Sequence, residues 1–272
     1  MHETALGLLI RPKQITICQY EKRSVKMKYL IVFAHPENEH SFQRSLLDHA
    51  VAQLLAAGHE VKISDLYAMN FEPVASKNDF KTRRFPERLQ YDREQKHSVQ
   101  NGELSADITA ELDKLFWCDV LVMQFPLYWF SMPAIMKGWV DRVFLNSLVY
   151  GAGMRFETGG LKGKHAMVCT STGGFDTMFS PDGLLGDMNV ALWHIHHGML
   201  HYTGFDVLPP FVAWAPVRVD DEKCGEYRDT YSKRLLESHT TQPMQFHDTA
   251  DFGKDFKMSE SVKPRTVGHW RD

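Results

Sequence analysis

Short apolar runs alternate with amphipathic segments along most of this chain, and this alternation restricts the fold more than any other feature. Residues 41–57 are typical of the amphipathic segments, since Phe42, Leu46 and Val51 recur at helical spacing and Gly58 follows as a stop signal. The remaining members of that predicted apolar stripe are Leu47, Leu54 and Leu55. Strands are predicted at residues 28–34, 60–64, 119–125, 164–170 and 206–212, and helices at 41–57, 107–117, 134–144, 184–200 and 220–236.

Strands that alternate with helices predict an α/β fold, in which helices cover both faces of a parallel sheet. Five strands predict the flavodoxin-like, doubly wound order 2-1-3-4-5. Pro209 and Pro210 interrupt the last run, which is therefore expected at the edge of the sheet.

Three segments fall outside this pattern. Residues 1–27 lack periodicity and are expected to form a flexible extension before a single catalytic domain at 28–238. Residues 68–105 are polar and contain no predicted strand, which is typical of a functional or mobile loop. Residues 239–272 are predicted to be a polar C-terminal tail that wraps around a partner or remains disordered.

Composition excludes several classes of protein. The net charge is −3 and no long basic run occurs, which argues against a nucleic-acid partner. No apolar run reaches the ~20 residues that span a bilayer, so no membrane insertion is expected. The four cysteines are widely spaced and form no CxxC motif, a usage typical of a reducing cytoplasm.

Residues 124–133, QFPLYWFSMP, crowd four aromatic side chains and two prolines at the end of an apolar strand. In open parallel sheets, ligands bind at the carboxyl ends of the strands. Tyr128, Trp129 and Phe130 offer flat faces that suit a planar cofactor, although a tight turn with core aromatics would give the same pattern.

Two further turns follow predicted strands. The first, residues 35–43, lacks the GxGxxG pattern, but Ser41 can cap the next helix, whose free N–H groups suit a phosphate. On spacing alone, the turn favours a purely structural N-cap over a phosphate site. The second is Ser171-Thr172-Gly173-Gly174, where the glycines allow main-chain N–H groups to approach a ligand or simply form a turn.

Five stretches together resemble the NAD(P)H:quinone oxidoreductase, or DT-diaphorase, family of flavodoxin-like FAD enzymes. They are YLIVFAH, SDLYAMNFEP, QFPLYWFSMPAIMKGWVDRVF, STGG and GDMNVALWHIHHGMLHYTGF, in the family's order. The resemblance implies a cytoplasmic, homodimeric flavoprotein that reduces quinones or related acceptors. It also implies FAD as the cofactor, NADH or NADPH as the donor, and ping-pong hydride transfer.

The resemblance also implies the site residues. The implied cofactor-binding residues are His35, Ser41, Phe42, Gln43, Gln90, Pro126, Leu127, Tyr128, Trp129, Phe130, Ser171, Thr172, Gly173 and Gly174. The implied substrate pocket contains Trp129, Phe130, Tyr150, Met178, Phe179 and Tyr202. The catalytic candidates are the N–H groups of Gly173 and Gly174, which would stabilise negative charge on the flavin, and the Tyr150 hydroxyl.

The chain departs from the family at several positions. Phe179 and Leu185 stand where the best-known branch has a tyrosine and a histidine, so an acid–base pair is missing. Two alternatives therefore remain: an FMN-dependent reductase of azo or nitro compounds, and a flavin-loaded regulatory protein with little turnover. FMN is also the alternative cofactor, because the family's arginine near the adenine aligns with Cys224.

One histidine pair raises the question of a metal. His197 and His201 are four residues apart, a spacing that suits one face of a metal site. Two ligands do not make a site, so no metal is predicted.

Overall fold

The computed structural model describes residues 25–37, 39–264 and 268–269, so nearly all of the predicted N-terminal extension lies outside the described residues. Its sheet is entirely parallel. The strands are β1 (Lys28–Phe33), β2 (Glu60–Asp65), β3 (Val120–Pro126), β4 (His165–Thr172), β5 (Asp206–Val207) and β6 (Phe211–Trp214).

The strand order β2-β1-β3-β4-β5 confirms the predicted doubly wound sheet. The fifth position is shared, because β5 and β6 both pair with β4, one after the other. Pro209 and Pro210 lie between them and have no N–H to donate to a ladder. The two prolines therefore divide the predicted strand at the sheet edge, as expected.

Seven α-helices occur within the described residues. They are α1 (Phe42–Ala56), α2 (Tyr91–Asn101), α3 (Ala106–Trp117), α4 (Ala134–Val143), α5 (Met188–Ala191), α6 (Trp193–Ile195) and α7 (Asp221–Leu236). The last turn of α6 continues as a π-helix, His196–His201.

The predicted helix at 184–200 is wrong in its first turn and in its regularity. Leu184 lies in a turn, and Gly186 has a φ of 75°, a left-handed conformation that a helix cannot include. The helix begins only after Asp187, whose side chain accepts the N–H of Asn189.

The central strands β1, β3 and β4 divide their side chains between two hydrophobic cores. Along β1, Leu30 and Val32 face one core, whereas Tyr29, Ile31 and Phe33 face the other. This alternation follows from the two-residue repeat of a strand and confirms that helices cover both faces. The first core includes α3 and α4, and the second includes α1 and α7.

The predicted apolar stripe of α1 is correct except at one position. Leu46, Leu47 and Leu54 are buried, but Leu55 is 55% exposed. The buried side chains of α1 span an arc of about 100° around the helix, from Leu46 to Leu47, and Leu55 lies outside that arc.

Residues 68–105 do not form a single long loop, because they contain α2 and a 3₁₀ turn at Lys77–Asp79. The inward face of α2 is polar: Glu94, Gln95 and Ser98 are its buried residues. The sequence of α2 therefore has no apolar repeat, and hydrogen bonds rather than apolar contacts hold its buried face in place. The Glu94 carboxylate accepts the main-chain N–H groups of Arg84 and Phe85.

The described part of the tail packs on its own chain. The N–H of Met244 donates to the carbonyl of Val207 across 2.7 Å, and the side chains of Phe246 and His247 are buried. Disorder is thus wrong for residues 239–264. No helix in the described ranges combines the length and the apolar character needed to cross a membrane.

Candidate active site

The carboxyl ends of β1, β3 and β4 lie side by side at one edge of the sheet. Phe33 pairs with Gln124, and Pro126 pairs with Ser171. The ladder extends by one bond beyond the strands, from the N–H of Leu127 to the carbonyl of Ser171, at 2.9 Å. The structure thus brings together three predicted regions: the turn after β1, residues 126–130, and residues 171–174.

A strained turn follows β3. Tyr128 and Ser131 exchange both main-chain hydrogen bonds, at 2.9 and 3.0 Å, and the two residues between them have positive φ angles: Trp129 at 50° and Phe130 at 60°. This is the geometry of a type I′ turn, which normally uses asparagine and glycine. A non-glycine residue in this region costs about 1–3 kcal/mol, and such strain is found preferentially at functional sites.

The turn holds its aromatic side chains in solvent. Trp129 is 96% exposed, and Tyr128 and Phe130 are also exposed. Large apolar side chains exposed together indicate a surface for a ligand or partner.

The loop Ser171–Gly174 follows from β4, the strand beside β3, and so lies next to this turn at the sheet edge. The Thr172 hydroxyl donates to the carbonyl of Gly174 across 2.7 Å and fixes the loop. A Cβ at Gly173 would meet no atom within 4 Å, whereas a Cβ at Gly174 would lie 3.1 Å from the Phe179 ring. Neither glycine N–H has an acceptor within the described residues. Gly173 therefore faces open space, with two main-chain donors available.

The start of α1 provides a second set of donors. Ser41 is the N-cap, and its hydroxyl accepts the N–H of Arg44 at 3.1 Å. The N–H groups of Phe42 and Gln43, at the first two helical positions, have no intrahelical acceptor. The side chain of Gln43 turns inward, since it donates to the carbonyl of Phe125 and to the Ser171 hydroxyl. The side chain of Gln43 is thus not available to a ligand.

The turn between β1 and α1 carries its own anion. The Glu37 carboxylate accepts the N–H groups of Glu39 and His40, at 3.0 and 2.9 Å, and these bonds hold the pKa of Glu37 below its usual value. Nδ1 of His35 contacts the main chain of Glu37, which leaves Nε2 for a ligand. A phosphate at the start of α1 would therefore meet a carboxylate nearby.

The side chains beyond the glycine loop are apolar. Phe179 is buried, with its ring 6.2 Å from Phe130 and 5.6 Å from Trp214. The sulfur of Met178 would lie 3.2 Å from a Cβ at Gly174. Leu185 and Phe130 line a cavity of about 530 Å³. Met178 and Phe179 thus join the candidate site, and neither Phe179 nor Leu185 offers a proton donor.

Two predicted pocket residues form a separate pair. Tyr150 and Tyr202 have ring centroids 6.2 Å apart, and Tyr202 also packs edge-on against Phe156. Burial raises the pKa of Tyr150. No hydrogen bond or ring contact joins this pair to the turn after β3 in the part of the chain that the structure describes. Gln90 lies at the N-cap of α2 and likewise has no bond to that turn.

The histidine pair lies in an aromatic cluster. His197 stacks on Trp193 at 4.4 Å, and His201 stacks on Phe246 at 4.5 Å. Burial lowers the pKa of His197 to about 4. Across the described ranges, no three His, Cys, Asp or Glu side chains are arranged to hold a metal ion.

Sequence reasoning missed three residues that support the edge. Gln124 lies in the apolar β3 and is fully buried, Tyr231 of α7 reaches it, and Trp214 of β6 packs beneath Phe179. An amide within a buried apolar strand needs a partner, and this was the available signal for Gln124. The contacts of Tyr231 and Trp214 depend on the tertiary fold and left no such signal.

Comparisons with known proteins agree with the observed fold. A family model described as a flavodoxin-like fold matches residues 27–235. Ribosyldihydronicotinamide dehydrogenase [quinone] of Pongo abelii is 40% identical over 218 residues, which cover 80% of this chain and 94% of that protein. NAD(P)H dehydrogenase [quinone] 1 of Cavia porcellus is 37% identical, over 86% of this chain and 85% of that protein.

Among solved structures, a Klebsiella pneumoniae protein described as a candidate quinone reductase has a TM-score of 0.83 and 35% identity. The alignment covers 90% of this chain and 98% of that one.

Proposed function

This chain belongs to the NAD(P)H:quinone oxidoreductase family of flavodoxin-like proteins, and we propose that it is a flavoprotein that reduces quinones or related acceptors. NADH or NADPH supplies two electrons, and FAD is the proposed cofactor, with FMN as the alternative. The proposed protein is a cytoplasmic homodimer. Its cysteine usage supports the compartment. No hydrogen bond or ring contact within the described residues joins the Tyr150–Tyr202 pair to the turn after β3, which is consistent with a pocket completed by a second subunit.

The observation that carries the proposal is the pairing of two surfaces at the sheet edge. The strained turn presents Trp129 and Phe130, and the adjacent loop presents the unpaired N–H groups of Gly173 and Gly174. An apolar surface beside two main-chain donors suits a flat ring with polar edges. The open space in front of Gly173 is consistent with such a ring.

Flavin held at this edge would supply two-electron hydride chemistry between the dihydronicotinamide and the acceptor. The residues of this chain bind and orient the partners. The N–H groups of Gly173 and Gly174 stabilise negative charge as it develops at the ring. The N–H groups of Phe42 and Gln43, with Nε2 of His35, hold the phosphates. Phe130, Phe179 and the apolar cavity beside Leu185 exclude water from the acceptor.

A second candidate is a flavin-loaded binding protein with little turnover. It is favoured by the apolar character of Phe179 and Leu185, which provide no proton donor to an acceptor. A positioned acid or base typically contributes about 10²–10⁴ in rate, so its absence would slow quinone reduction.

Absorbance of the protein purified without added flavin tests the proposal. A yellow protein that bleaches with NADH and recovers with a simple quinone is expected. Chromatography of the released cofactor distinguishes FAD from FMN. Bleaching without recovery would favour the low-turnover candidate, and a colourless protein that takes up neither flavin would contradict both.

Gly173→Ala tests the geometry directly. A methyl group there meets no protein atom, so the melting temperature of the apoprotein should not change. It would protrude into the space proposed for the ring and should weaken flavin binding at least tenfold. Gly198→Ala is the matched control, because Gly198 also has no neighbour within 4 Å and lies in the π-helix. Equal flavin affinity in the two variants would refute this placement of the ring.

A further inference from the structure

Four buried or half-buried side chains form a continuous hydrogen-bonded chain from α7 to the glycine loop. The Tyr231 hydroxyl lies 3.0 Å from Oε1 of Gln124, and Nε2 of Gln124 lies 3.1 Å from Oε1 of Gln43. Nε2 of Gln43 then lies 2.9 Å from Oγ of Ser171. These hydrogen bonds run along the face of the sheet that α1 and α7 cover, and they end at the first residue of the proposed flavin loop.

Main-chain carbonyl groups determine the direction of every bond. Nε2 of Gln124 lies 2.7 Å from the carbonyl oxygen of Gln43, and Nε2 of Gln43 lies 3.2 Å from that of Phe125. A carbonyl oxygen only accepts, so the atom facing it must be the NH₂ group of each amide. Each Oε1 is therefore an acceptor, and Tyr231 must donate to Gln124.

The same reasoning determines the orientation of the Ser171 hydroxyl. Its oxygen accepts from Gln43, so its proton is left to donate elsewhere. No acceptor for that proton exists within the described residues. Ser171 is half-buried at the carboxyl edge, so the acceptor is expected on the ligand side.

We propose that Tyr231, Gln124 and Gln43 are positioning residues that form a one-way donor relay, which orients and strengthens the Ser171 hydroxyl as a hydrogen-bond donor to the flavin. Each donor in such a chain polarises the next, by about 10–30% per bond. A stronger donor at the ring stabilises the reduced, more negative flavin more than the oxidised flavin. This inference rests on the proposed function and adds residues that do not touch the cofactor.

The relay is expected to be insensitive to pH. Tyr231 is fully buried, and the thiol of Cys169 lies against its hydroxyl. Burial raises the pKa values of both groups well above their usual ranges, so both stay neutral. The amides do not titrate.

The test is the midpoint potential of the flavin-loaded protein in Tyr231→Phe, which removes the first donor and little volume. In this variant, the affinity of the protein for reduced flavin should fall about threefold relative to its affinity for oxidised flavin. The midpoint potential should therefore fall by about 14 mV for a two-electron couple. In Ser171→Ala, the relative affinity for reduced flavin should fall about tenfold, which lowers the midpoint potential by about 30 mV. The shift should be the same at pH 6.5 and 8.5.

Tyr29→Phe is the matched control. Tyr29 is also a fully buried tyrosine in the same core, and its hydroxyl donates to the carbonyl of Leu235 at 2.9 Å. It should lower stability without changing the potential. In a double-mutant cycle, Tyr231→Phe should have no further effect once Ser171 is alanine.

Equal potentials in Tyr231→Phe and Tyr29→Phe, or additive effects with Ser171→Ala, would overturn the relay while leaving flavin binding intact. A protein that takes up no flavin would overturn the relay together with the proposed function. If Tyr231→Phe does not fold, Gln43→Met interrupts the same chain, is similar in volume, and should lower the potential in the same direction.

Discussion

The Ser131 hydroxyl lies 2.8 Å from Nε2 of His194, a hydrogen bond between residues 63 positions apart in the chain. Ser131 closes the strained turn after β3, and His194 lies in α6. The bond therefore ties the turn that presents Trp129 to the helical segment that leads to Tyr202. This tie helps to hold a backbone conformation that the turn residues themselves disfavour.

Replacing Trp129 by glycine should separate stability from ligand binding. Glycine adopts the φ of 50° without strain, and the 96% exposed indole contributes almost no burial. The free energy of unfolding of the apoprotein should stay unchanged or rise by up to about 1 kcal/mol. Flavin affinity should fall at least tenfold. Both are measurable by urea denaturation and flavin titration.

Leu184→Gly is the control for this prediction, because Leu184 is 86% exposed and has no positive φ. It should lower stability by about 0.5–1 kcal/mol through the added freedom of the unfolded chain. A comparable loss in Trp129→Gly would show that the turn is not strained.

Restoring an acid–base pair should raise quinone turnover. The double variant Phe179→Tyr with Leu185→His adds a hydroxyl and an imidazole beside Phe130 and the cavity of about 530 Å³. We expect kcat with a simple quinone to rise at least tenfold, towards the ~10²–10⁴ of a positioned acid or base. Flavin affinity should change little. Steady-state kinetics that show no gain would mean that the missing pair does not limit the reaction.

His196→Leu should stabilise the protein, and more so in acid. His196 is fully buried, and neither ring nitrogen has a partner within the described residues. An unpaired buried polar group costs about 1–3 kcal/mol, so the variant should gain stability of that order at pH 7.5.

Lowering the pH should increase the difference in stability between His196→Leu and the wild type. Burial lowers the pKa of His196 from 6.5 to about 4, with His194 contributing less. The unfolded chain then binds the extra proton, so the wild type loses stability as pH falls from 6.5 towards 4. At pH 5 the additional difference should be about 2 kcal/mol. Urea denaturation at pH 7.5, 6 and 5 measures it, and parallel pH curves would contradict the prediction.

Removing the charge of Arg142 should destabilise the segment before α2. Arg142 is 3% exposed and pairs with Asp79 at 3.0 Å and Asp107 at 2.7 Å, and it donates to the carbonyl of Glu72 at 2.7 Å. Arg142→Met leaves the buried Asp79 without its cation and should cost about 3–5 kcal/mol.

Two further variants test the cause of that loss. Arg142→Lys should recover only part of it, because a single ammonium cannot replace the planar fork. Asp79→Asn in the Arg142→Met background should recover some stability, because it removes the unpaired charge. Urea denaturation of all three variants measures these differences in stability. If the double variant recovers no stability, charge burial is excluded as the cause of the loss.

The sheet and its edge were predictable because the sequence patterns that indicate them involve residues close together in the chain. Apolar periodicity located every strand to within about two residues, and Pro209-Pro210 located the division between β5 and β6. Parallel order then placed residues 126–130 and 171–174 at one edge without any long-range information. The resemblance to a family added the cofactor and the acceptor, which no periodicity contains.

Only the tertiary structure decided which way polar side chains point. Gln43 was predicted to face the cofactor, yet its amide turns inward to Ser171, since Gln124 and Phe125 from a distant strand offer it partners. The helix α2 escaped prediction for a related reason, as its buried face is built from hydrogen bonds. The spacing of neighbouring residues predicts apolar burial, whereas a hydrogen bond requires a partner that only folding brings within about 3 Å.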